Sequence, residues 1–223
     1  KQVIAKAPKR TTITIVMFLF DRLDIAKILR AAARRGVRVK LLGDRFIVKK
    51  APYKMLKGLK NVEVIIYKPR YKGQLMHEKF MLVVYPNGSN LLLMGSNNFS
   101  ERNASKEWND LIVLKNVPAK VVKFLRGEYA KLKKGKLSAT AGGRVSSGKI
   151  AVFTTPEKSS SLYLGEMLNR VKCKGGTRLS LATLHFGDSR VAEKLWRHHN
   201  NGCKVRVMIN YDARQADQDG VGT

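Results

Sequence analysis

Acidic residues and cysteines are both scarce in this sequence. Its 223 residues include 16 Asp and Glu against 44 Lys and Arg, which gives a formal net charge of +28. Aromatic residues make up only 8% of the chain, and few of them are available to stack on single-stranded nucleic acid. No apolar run reaches the roughly 18 residues needed to cross a bilayer, so we expect no transmembrane segment.

The excess of basic residues is spread along the whole chain. It predicts attraction to polyanions, whether nucleic acid, anionic lipid or an anionic cell envelope. Charge alone does not choose among these partners, and any single basic run has the simpler interpretation of a solvated surface.

The two cysteines, Cys173 and Cys203, each precede a predicted strand, at 177–184 and 204–210. If these strands are parallel neighbours, a disulfide between the cysteines is feasible. The alternative is two reduced, partly buried thiols. The cysteine–histidine spacing does not indicate zinc, and we expect no metal or cofactor. The two cysteines and the high charge together favour a secreted, extracellular protein.

Strand and helix patterns alternate along the chain. Apolar runs predict strands at 13–20, 37–42, 62–67, 80–84, 91–94 and 111–114, with helices at 25–36, at 52–59 and after residue 118. A second series follows, with strands at 150–153, 179–184 and 204–210 and helices between them. Residues 137–149 are small and flexible in composition. We therefore predict a first lobe at 1–136, a linker at 137–149 and the beginning of a second lobe at 150–223.

The two lobes are predicted to be homologous. Residues 12–44 align with residues 178–212 as strand, helix, glycine and strand, and Gly36 aligns with Gly202. In the first lobe a His-Lys segment at residues 77–79 follows the aligned part, and the second lobe ends at Thr223 before any counterpart of that segment. We expect the sequence to be part of a longer two-lobed protein.

The most informative segment is HEKFMLVVYPNGSNLLLMGSNNFS, residues 77–100. Asn87-Gly88 predicts a hairpin between the two apolar runs. If His77 and Lys79 lie on a strand, they face the same side and Glu78 faces away. The hairpin then returns the Gly95–Asn98 loop beside them. A cationic ammonium, an amide donor and a neutral imidazole suit a phosphate diester.

This segment resembles the HxK…GSxN signature of the phospholipase D superfamily. The matching residues are His77 and Lys79, followed by Gly95, Ser96 and Asn98. The resemblance implies an α/β fold of duplicated α-β-α lobes, each with a mixed sheet, and an active site at the lobe interface. It also implies a metal-independent phosphodiesterase that forms a covalent phosphohistidine.

The resemblance assigns a role to each of these residues. His77 is the nucleophile or, with reversed roles, the general acid, while Lys79 and Asn98 bind the phosphate with support from Ser96 and Gly95. A second histidine protonates the leaving group and comes from the missing part of the chain or from a symmetry-related subunit.

The sequence departs from the family pattern at Val84, where an acid usually stands five residues after the lysine. Glu107 and Asp110 are candidates to orient the imidazole instead, or they are plain surface charges. Of the other histidines, His185 ends a predicted strand and is a candidate for the cleft. His198 and His199 end a predicted helix, where packing or helix capping accounts for them.

These observations favour a phospholipase D-like phosphodiesterase that hydrolyses or transfers phosphodiester bonds. Two-lobed members of the superfamily are often lipid enzymes, which favours a phospholipid substrate and a role in lipid degradation. The first alternative is a metal-independent nuclease or nucleic-acid-processing enzyme of the same superfamily. The second is a noncatalytic basic protein that binds polyanions on a degenerate scaffold.

Overall fold

The computed structural model describes residues 1–138, 142–156, 163–183 and 186–209. The chain divides into two compact units, one up to Glu157 and one from Lys158. No helix in the described ranges is long and apolar enough to cross a membrane.

The first unit contains most of the regular structure. Its helices are α1 (Gln2–Ala5), α2 (Leu23–Arg34), α3 (Ala51–Leu56), α4 (Glu101–Ser105) and α5 (Ala119–Lys134), with a 3₁₀ turn at Arg45–Ile47. Its strands are β1 (Thr12–Met17), β2 (Arg38–Gly43), β3 (Val62–Ile66), β4 (Lys79–Val84), β5 (Asn90–Gly95), β6 (Leu111–Lys115), β7 (Gly143–Ser147) and β8 (Ile150–Thr154).

Within the described residues, six strands form one mixed sheet in the order β3-β2-β1-β4-β5-β6. The strands β1, β2 and β3 are parallel, and β4, β5 and β6 continue the sheet in antiparallel fashion. This arrangement confirms the mixed α/β fold expected from the alternating pattern.

Apolar side chains are buried on both faces of this sheet. On one face, α2 contributes buried residues at helical spacing, among them Ala26, Leu29 and Ala33. On the other face, α5 contributes Val121 and Leu125 to a second cluster. The sheet is thus covered by helices on both sides, as expected for strands that read as continuous apolar runs.

The predicted linker contains regular structure. Residues 143–147 form β7, which pairs with β8 in antiparallel register and packs on α5. Val145 and Val152 are buried in the same cluster as the α5 side chains. The predicted domain boundaries differ from the structure at this point, since the first unit extends to Glu157.

The second unit contains α6 (Tyr163–Asn169), β9 (Arg178–Thr183), α7 (Ser189–Asn200) and β10 (Lys204–Ile209). The strands β9 and β10 are parallel, and Leu168, Val191 and Leu195 form a small buried cluster. His185 lies outside the described residues.

The strand–helix–strand segments β1-α2-β2 and β9-α7-β10 end their helices in the same way. Gly36 and Gly202 have φ values of 91° and 88°, a region that glycine enters without strain. In both segments the glycine N–H and the next N–H bond back to carbonyls of the last helical turn, which is the Schellman motif. The repeat noticed in the sequence is therefore present in local structure, whereas a complete second lobe stays a prediction.

Candidate active site

The edge of the sheet where β1 ends gathers the predicted site residues. Met17, the last residue of β1, pairs with Lys79, the first residue of β4. Because β5 runs antiparallel to β4, its end returns to the same edge, and Phe80 pairs with Met94. The histidine–lysine pair and the Gly95–Asn98 loop therefore lie at adjoining strand ends.

His77 and Lys79 both contact the ring of Phe18, the residue that follows β1. The ring centroids of Phe18 and His77 are 4.6 Å apart, and the Lys79 ammonium lies 5.3 Å from the Phe18 centroid. The ammonium also donates a 2.7 Å hydrogen bond to the carbonyl oxygen of His77. One aromatic ring thus fixes the positions of an imidazole and a cation.

Only Lys79 of this pair lies on a strand, which differs from the sequence prediction. The sheet ends at the Met17–Lys79 pair, so β1 offers no hydrogen-bonding partner opposite His77. The imidazole is consequently more exposed than the lysine, in a position open to a substrate.

The environment lowers the pKa of both His77 and Lys79. Burial lowers the pKa of His77, the positive charge of Lys79 lowers it further, and the carboxylate of Asp44 acts in the opposite sense. Burial also lowers the pKa of Lys79, to about 8. At neutral pH the imidazole is therefore mostly neutral and the lysine mostly charged.

Glu78 faces away from His77 and Lys79, as the sequence predicted. It approaches Glu128, a residue of α5 that forms a 2.5 Å ion pair with Lys131. Burial raises the pKa of Glu78 to about 7, with a further contribution from the charge of Glu128. Its Oε2 atom has no hydrogen-bond partner among the described residues. The middle residue of the motif is therefore a largely buried carboxyl group whose charged form is disfavoured.

Asn98 is buried, and its side chain ties the loop to the end of β1. Its Oδ1 accepts a 3.1 Å hydrogen bond from the Leu19 backbone N–H, and its own N–H donates to Oδ1 of Asn103 at 2.7 Å. Because Oδ1 is engaged, the side-chain NH₂ is the group that can donate to a ligand.

Gly95 and Ser96 hold the loop against the start of β6. A Cβ atom on Gly95 would lie 2.1 Å from the carbonyl oxygen of Asp110. The Ser96 hydroxyl donates to Oδ1 of Asn109 and accepts from the Asp110 N–H, each at 3.0 Å. These contacts give both residues a structural role in addition to the predicted phosphate-binding one.

The carboxylates expected to orient the imidazole are placed elsewhere. Glu107 pairs with Arg102 at 2.5 Å and accepts a hydrogen bond from Asn103, while the Asp110 backbone bonds to Ser96. Neither contributes to the pKa shift of His77, whose carboxylate contribution comes from Asp44. The role predicted for Glu107 and Asp110 therefore has no support from this geometry.

The part of the chain that carries this site matches a known protein family. Residues 1–132 match the family described as "Cardiolipin synthase, PLD-like domain", and this match covers more than half of the chain. The chain belongs to this family. No curated protein sequence matches the chain.

Solved structures resemble this PLD-like chain in fold. Polyphosphate kinase from Porphyromonas gingivalis is 17% identical, with a TM-score of 0.58 over 94% of this chain and 34% of the kinase. NucT from Helicobacter pylori is 17% identical, with a TM-score of 0.49 over 60% of this chain and 84% of NucT. Nuc from Salmonella typhimurium, titled a phospholipase D family member, is 23% identical, with a TM-score of 0.47 over 59% and 82%.

Asp44 is a site residue of the PLD-like chain that sequence reasoning missed. It is buried directly after β2, and its Oδ2 accepts a 2.9 Å hydrogen bond from the Met76 N–H, just before His77. Its Oδ1 has no partner among the described residues. The available signal was an acid that follows a buried parallel strand, the position where α/β folds place functional residues.

A second missed feature is an aromatic stack that leads outward from His77. Phe46 contacts Phe18 edge to face, with centroids 5.7 Å apart, and Arg45 lies 5.1 Å from the Phe46 centroid. Phe46 is 45% exposed. The stack therefore presents an open aromatic face and a guanidinium beside the predicted phosphate site.

A cavity of about 200 Å³ borders Lys79. Its wall is mostly apolar, and its polar lining residues are Arg22, Lys79, Asn97, Asn98 and Ser100. Lys79 therefore borders this mostly apolar cavity and also contacts the Phe18 ring from which the aromatic–arginine stack begins.

Proposed function

We propose that the protein is a phosphodiesterase in which His77 forms a covalent phosphohistidine. The observation that carries this proposal is the placement of His77 and Lys79 on one Phe18 ring beside the Asn98 loop. These three residues supply a nucleophile, a cation and an amide donor at one edge of a rigid sheet, which is the set a phosphodiester requires.

In the proposed reaction, the neutral imidazole of His77 attacks phosphorus and the bond to the leaving alcohol breaks. Lys79 and the Asn98 NH₂ bind nonbridging oxygens as negative charge develops on them. A second histidine, supplied by a second lobe or a second copy, protonates the leaving oxygen. Water or an alcohol then attacks the phosphohistidine and frees His77. The lowered pKa of His77 favours its nucleophilic form at neutral pH.

The first candidate substrate is a phospholipid. The apolar cavity beside Lys79 and Asn98 supports it, because that cavity would bury hydrocarbon next to the bound phosphate. The net charge of +28 adds attraction to an anionic membrane surface.

The second candidate substrate is nucleic acid, and a separate observation favours it. The exposed ring of Phe46, with Arg45 against it, would stack on a base while the neighbouring phosphate occupies the site. Stacking of one base on an aromatic side chain contributes about 1–3 kcal/mol.

The test is a panel of diesters with EDTA present: bis(p-nitrophenyl) phosphate, phosphatidylcholine, cardiolipin, and single- and double-stranded DNA. His77→Ala should abolish turnover of every substrate that the protein cleaves. His199→Ala, which removes an exposed histidine of the second unit, should leave turnover unchanged. Turnover that survives His77→Ala would overturn the assignment, and polyanion binding without turnover would favour the noncatalytic alternative.

Phe46→Ala separates the two substrate classes. Cleavage or binding of DNA should fall by roughly 5- to 150-fold if the stack binds a base, as 1–3 kcal/mol implies, while turnover of bis(p-nitrophenyl) phosphate stays the same. If Phe46→Ala leaves DNA unaffected and phospholipid remains the better substrate, the nucleic-acid candidate is wrong.

A further inference from the structure

Three possible metal ligands converge in the second unit. Cys173 follows α6, His198 lies in the last turn of α7, and Cys203 immediately precedes β10. The ligand atoms of all three lie within 4.8 Å of one another. In the structure, Cys173 and Cys203 are joined by a disulfide, which links the segment between α6 and β9 to the residue before β10.

The end of α7 brings His198 and Cys203 together. In its Schellman motif, the Cys203 N–H donates a 3.0 Å hydrogen bond to the His198 carbonyl. The motif characteristically places the side chains of these two positions in contact. In the matching motif of α2, the same positions are Ala32 and Val37, so the shared fold does not require a histidine and a cysteine here.

The imidazole of His198 is held in the orientation of a metal ligand. Its Nε2 lies 2.9 Å from the carbonyl oxygen of Leu168, and a carbonyl can only accept, so Nε2 carries the proton. The lone pair of the neutral ring is then on Nδ1, which lies 3.4 Å from the Cys173 sulfur. Metal-bound histidines typically donate their other N–H to such a carbonyl.

The distances suit zinc once the cysteines are reduced. Zinc bonds of about 2.3 Å to sulfur and 2.0–2.1 Å to nitrogen at tetrahedral angles place these two ligands about 3.5 Å apart. The separation of Cys173 and His198 is already close to this value. The exposed Lys172, Lys174 and Lys204 flank the cysteines in sequence.

We propose that reduction converts the Cys173–Cys203 disulfide into a zinc site with His198 as the third ligand. A dithiol or phosphine reductant supplies two electrons, the S–S bond breaks, and two thiols form. Zinc then binds both thiolates and His198 Nδ1, with release of two protons, and water takes the fourth position.

The experiment titrates the full chain, reduced with a phosphine and kept anaerobic, with Co²⁺ and then with competing Zn²⁺. We expect one metal ion per chain and a sulfur-to-cobalt charge-transfer band that Zn²⁺ removes. His198→Ala should weaken binding by at least about tenfold, since even loss of an outer partner of a ligand costs about 10–100-fold. His199→Ala is the matched control and should bind as the parent chain does.

A measurement without variants covers the case in which His198→Ala fails to fold. Zn²⁺ should protect both cysteines of the reduced parent chain from alkylation, and EDTA should remove that protection. Alkylation at the same rate with and without Zn²⁺ would overturn the proposal. Zn²⁺ affinity of the parent chain equal to that of the double variant Cys173→Ser, Cys203→Ser would also overturn it. The same holds if a folded His198→Ala variant binds Zn²⁺ as tightly as the parent chain.

Discussion

The side-chain oxygen of Asn98 accepts a hydrogen bond from the backbone N–H of Leu19, a residue 79 positions earlier in the chain. This bond joins the loop after β5 to the segment after β1. It leaves the Asn98 NH₂ as the donor for a substrate, so one side chain combines a structural and a proposed phosphate-binding role.

Two substitutions separate these roles. Asn98→Asp keeps an oxygen that can accept from Leu19 but loses the amide donor, whereas Asn98→Ala loses both. We expect kcat/KM to fall by about 100-fold or more in each, as for the loss of one donor to a transition-state oxyanion.

Thermal unfolding distinguishes the two variants. Asn98→Ala should also lower the free energy of unfolding by about 1–3 kcal/mol, because the Leu19 N–H loses its hydrogen-bond acceptor. Asn98→Asp should lower it less. An Asn98→Asp variant with the turnover of the parent chain would contradict the donor role.

The dependence of turnover on pH should report His77 and Lys79. The nucleophile must be neutral, so the acid limb of kcat/KM should lie below pH 6.5, the ordinary value for histidine, because the pKa of His77 is lowered. The phosphate-binding lysine must be charged, so kcat/KM should fall above about pH 8, the pKa of Lys79. A profile with bis(p-nitrophenyl) phosphate between pH 4.5 and 10 measures both limbs.

Lys79→Arg identifies the group behind the alkaline limb. A guanidinium stays charged throughout this range, so the fall near pH 8 should disappear even if the maximum rate is lower. An unchanged alkaline limb in this variant would assign it to another group.

Glu78 should make the free energy of unfolding depend on pH. Its folded pKa of about 7 lies above the ordinary 4.5, so the folded state binds the proton more tightly. This contribution to stability is complete below pH 4.5 and is lost as the pH rises through 7. Glu78→Gln removes this pH-dependent loss of stability. Between pH 4.5 and pH 8, the free energy of unfolding of the variant should therefore rise by on the order of 2 kcal/mol relative to that of the parent chain.

Urea unfolding at the two pH values tests this expectation. Glu101→Gln is the control for removal of an exposed carboxylate. If the free energy of unfolding of Glu78→Gln differs from that of the parent chain by the same amount at pH 4.5 and pH 8, the pKa of Glu78 is not raised.

Two glycine-to-alanine substitutions should have opposite effects. Gly95→Ala places a methyl group against the Asp110 backbone, which cannot rotate away, so it should destabilise the protein by about 1–3 kcal/mol and displace the Asn98 loop. Gly127 is exposed on α5, and an added Cβ there meets nothing within 4 Å among the described residues. Gly127→Ala should therefore stabilise the protein by about 0.5–1 kcal/mol.

Chemical denaturation and diesterase assays of both variants check the pair. If Gly95→Ala retains the stability and the turnover of the parent chain, the loop does not depend on its contact with β6.

Much of the fold followed from local patterns. The apolar runs of β1, β4 and β5 and the Asn87-Gly88 turn predicted the hairpin that brings His77 and Lys79 close to the Gly95–Asn98 loop, and the structure has these elements at nearly the same bounds. The family resemblance also held. Such features are encoded within a few neighbouring residues.

Features that depend on distant parts of the chain were missed. Phe18 looked like the continuation of a strand, and its contact with His77 arises from the pairing of β1 with β4. Asp44 approaches the site through Met76, a residue 32 positions later. The roles of Ser96, Gly95 and Asn98 toward phosphate, the cleft position of His185 and secretion of the protein stay predictions.

The hairpin of β7 and β8 has a consequence for proteolysis. Residues 143–147 carry a single apolar side chain in a polar run, which gives them the composition of a cleavable tether. Their backbone is nevertheless paired with β8, and Val145 packs in the same buried cluster as the apolar side chains of α5. A protease that cut the chain before this hairpin and released the hairpin would expose apolar side chains of the first unit that Val145 and Val152 cover. A shortened polypeptide meant to carry the His77 edge alone should therefore run to Glu157 rather than stop at Lys136.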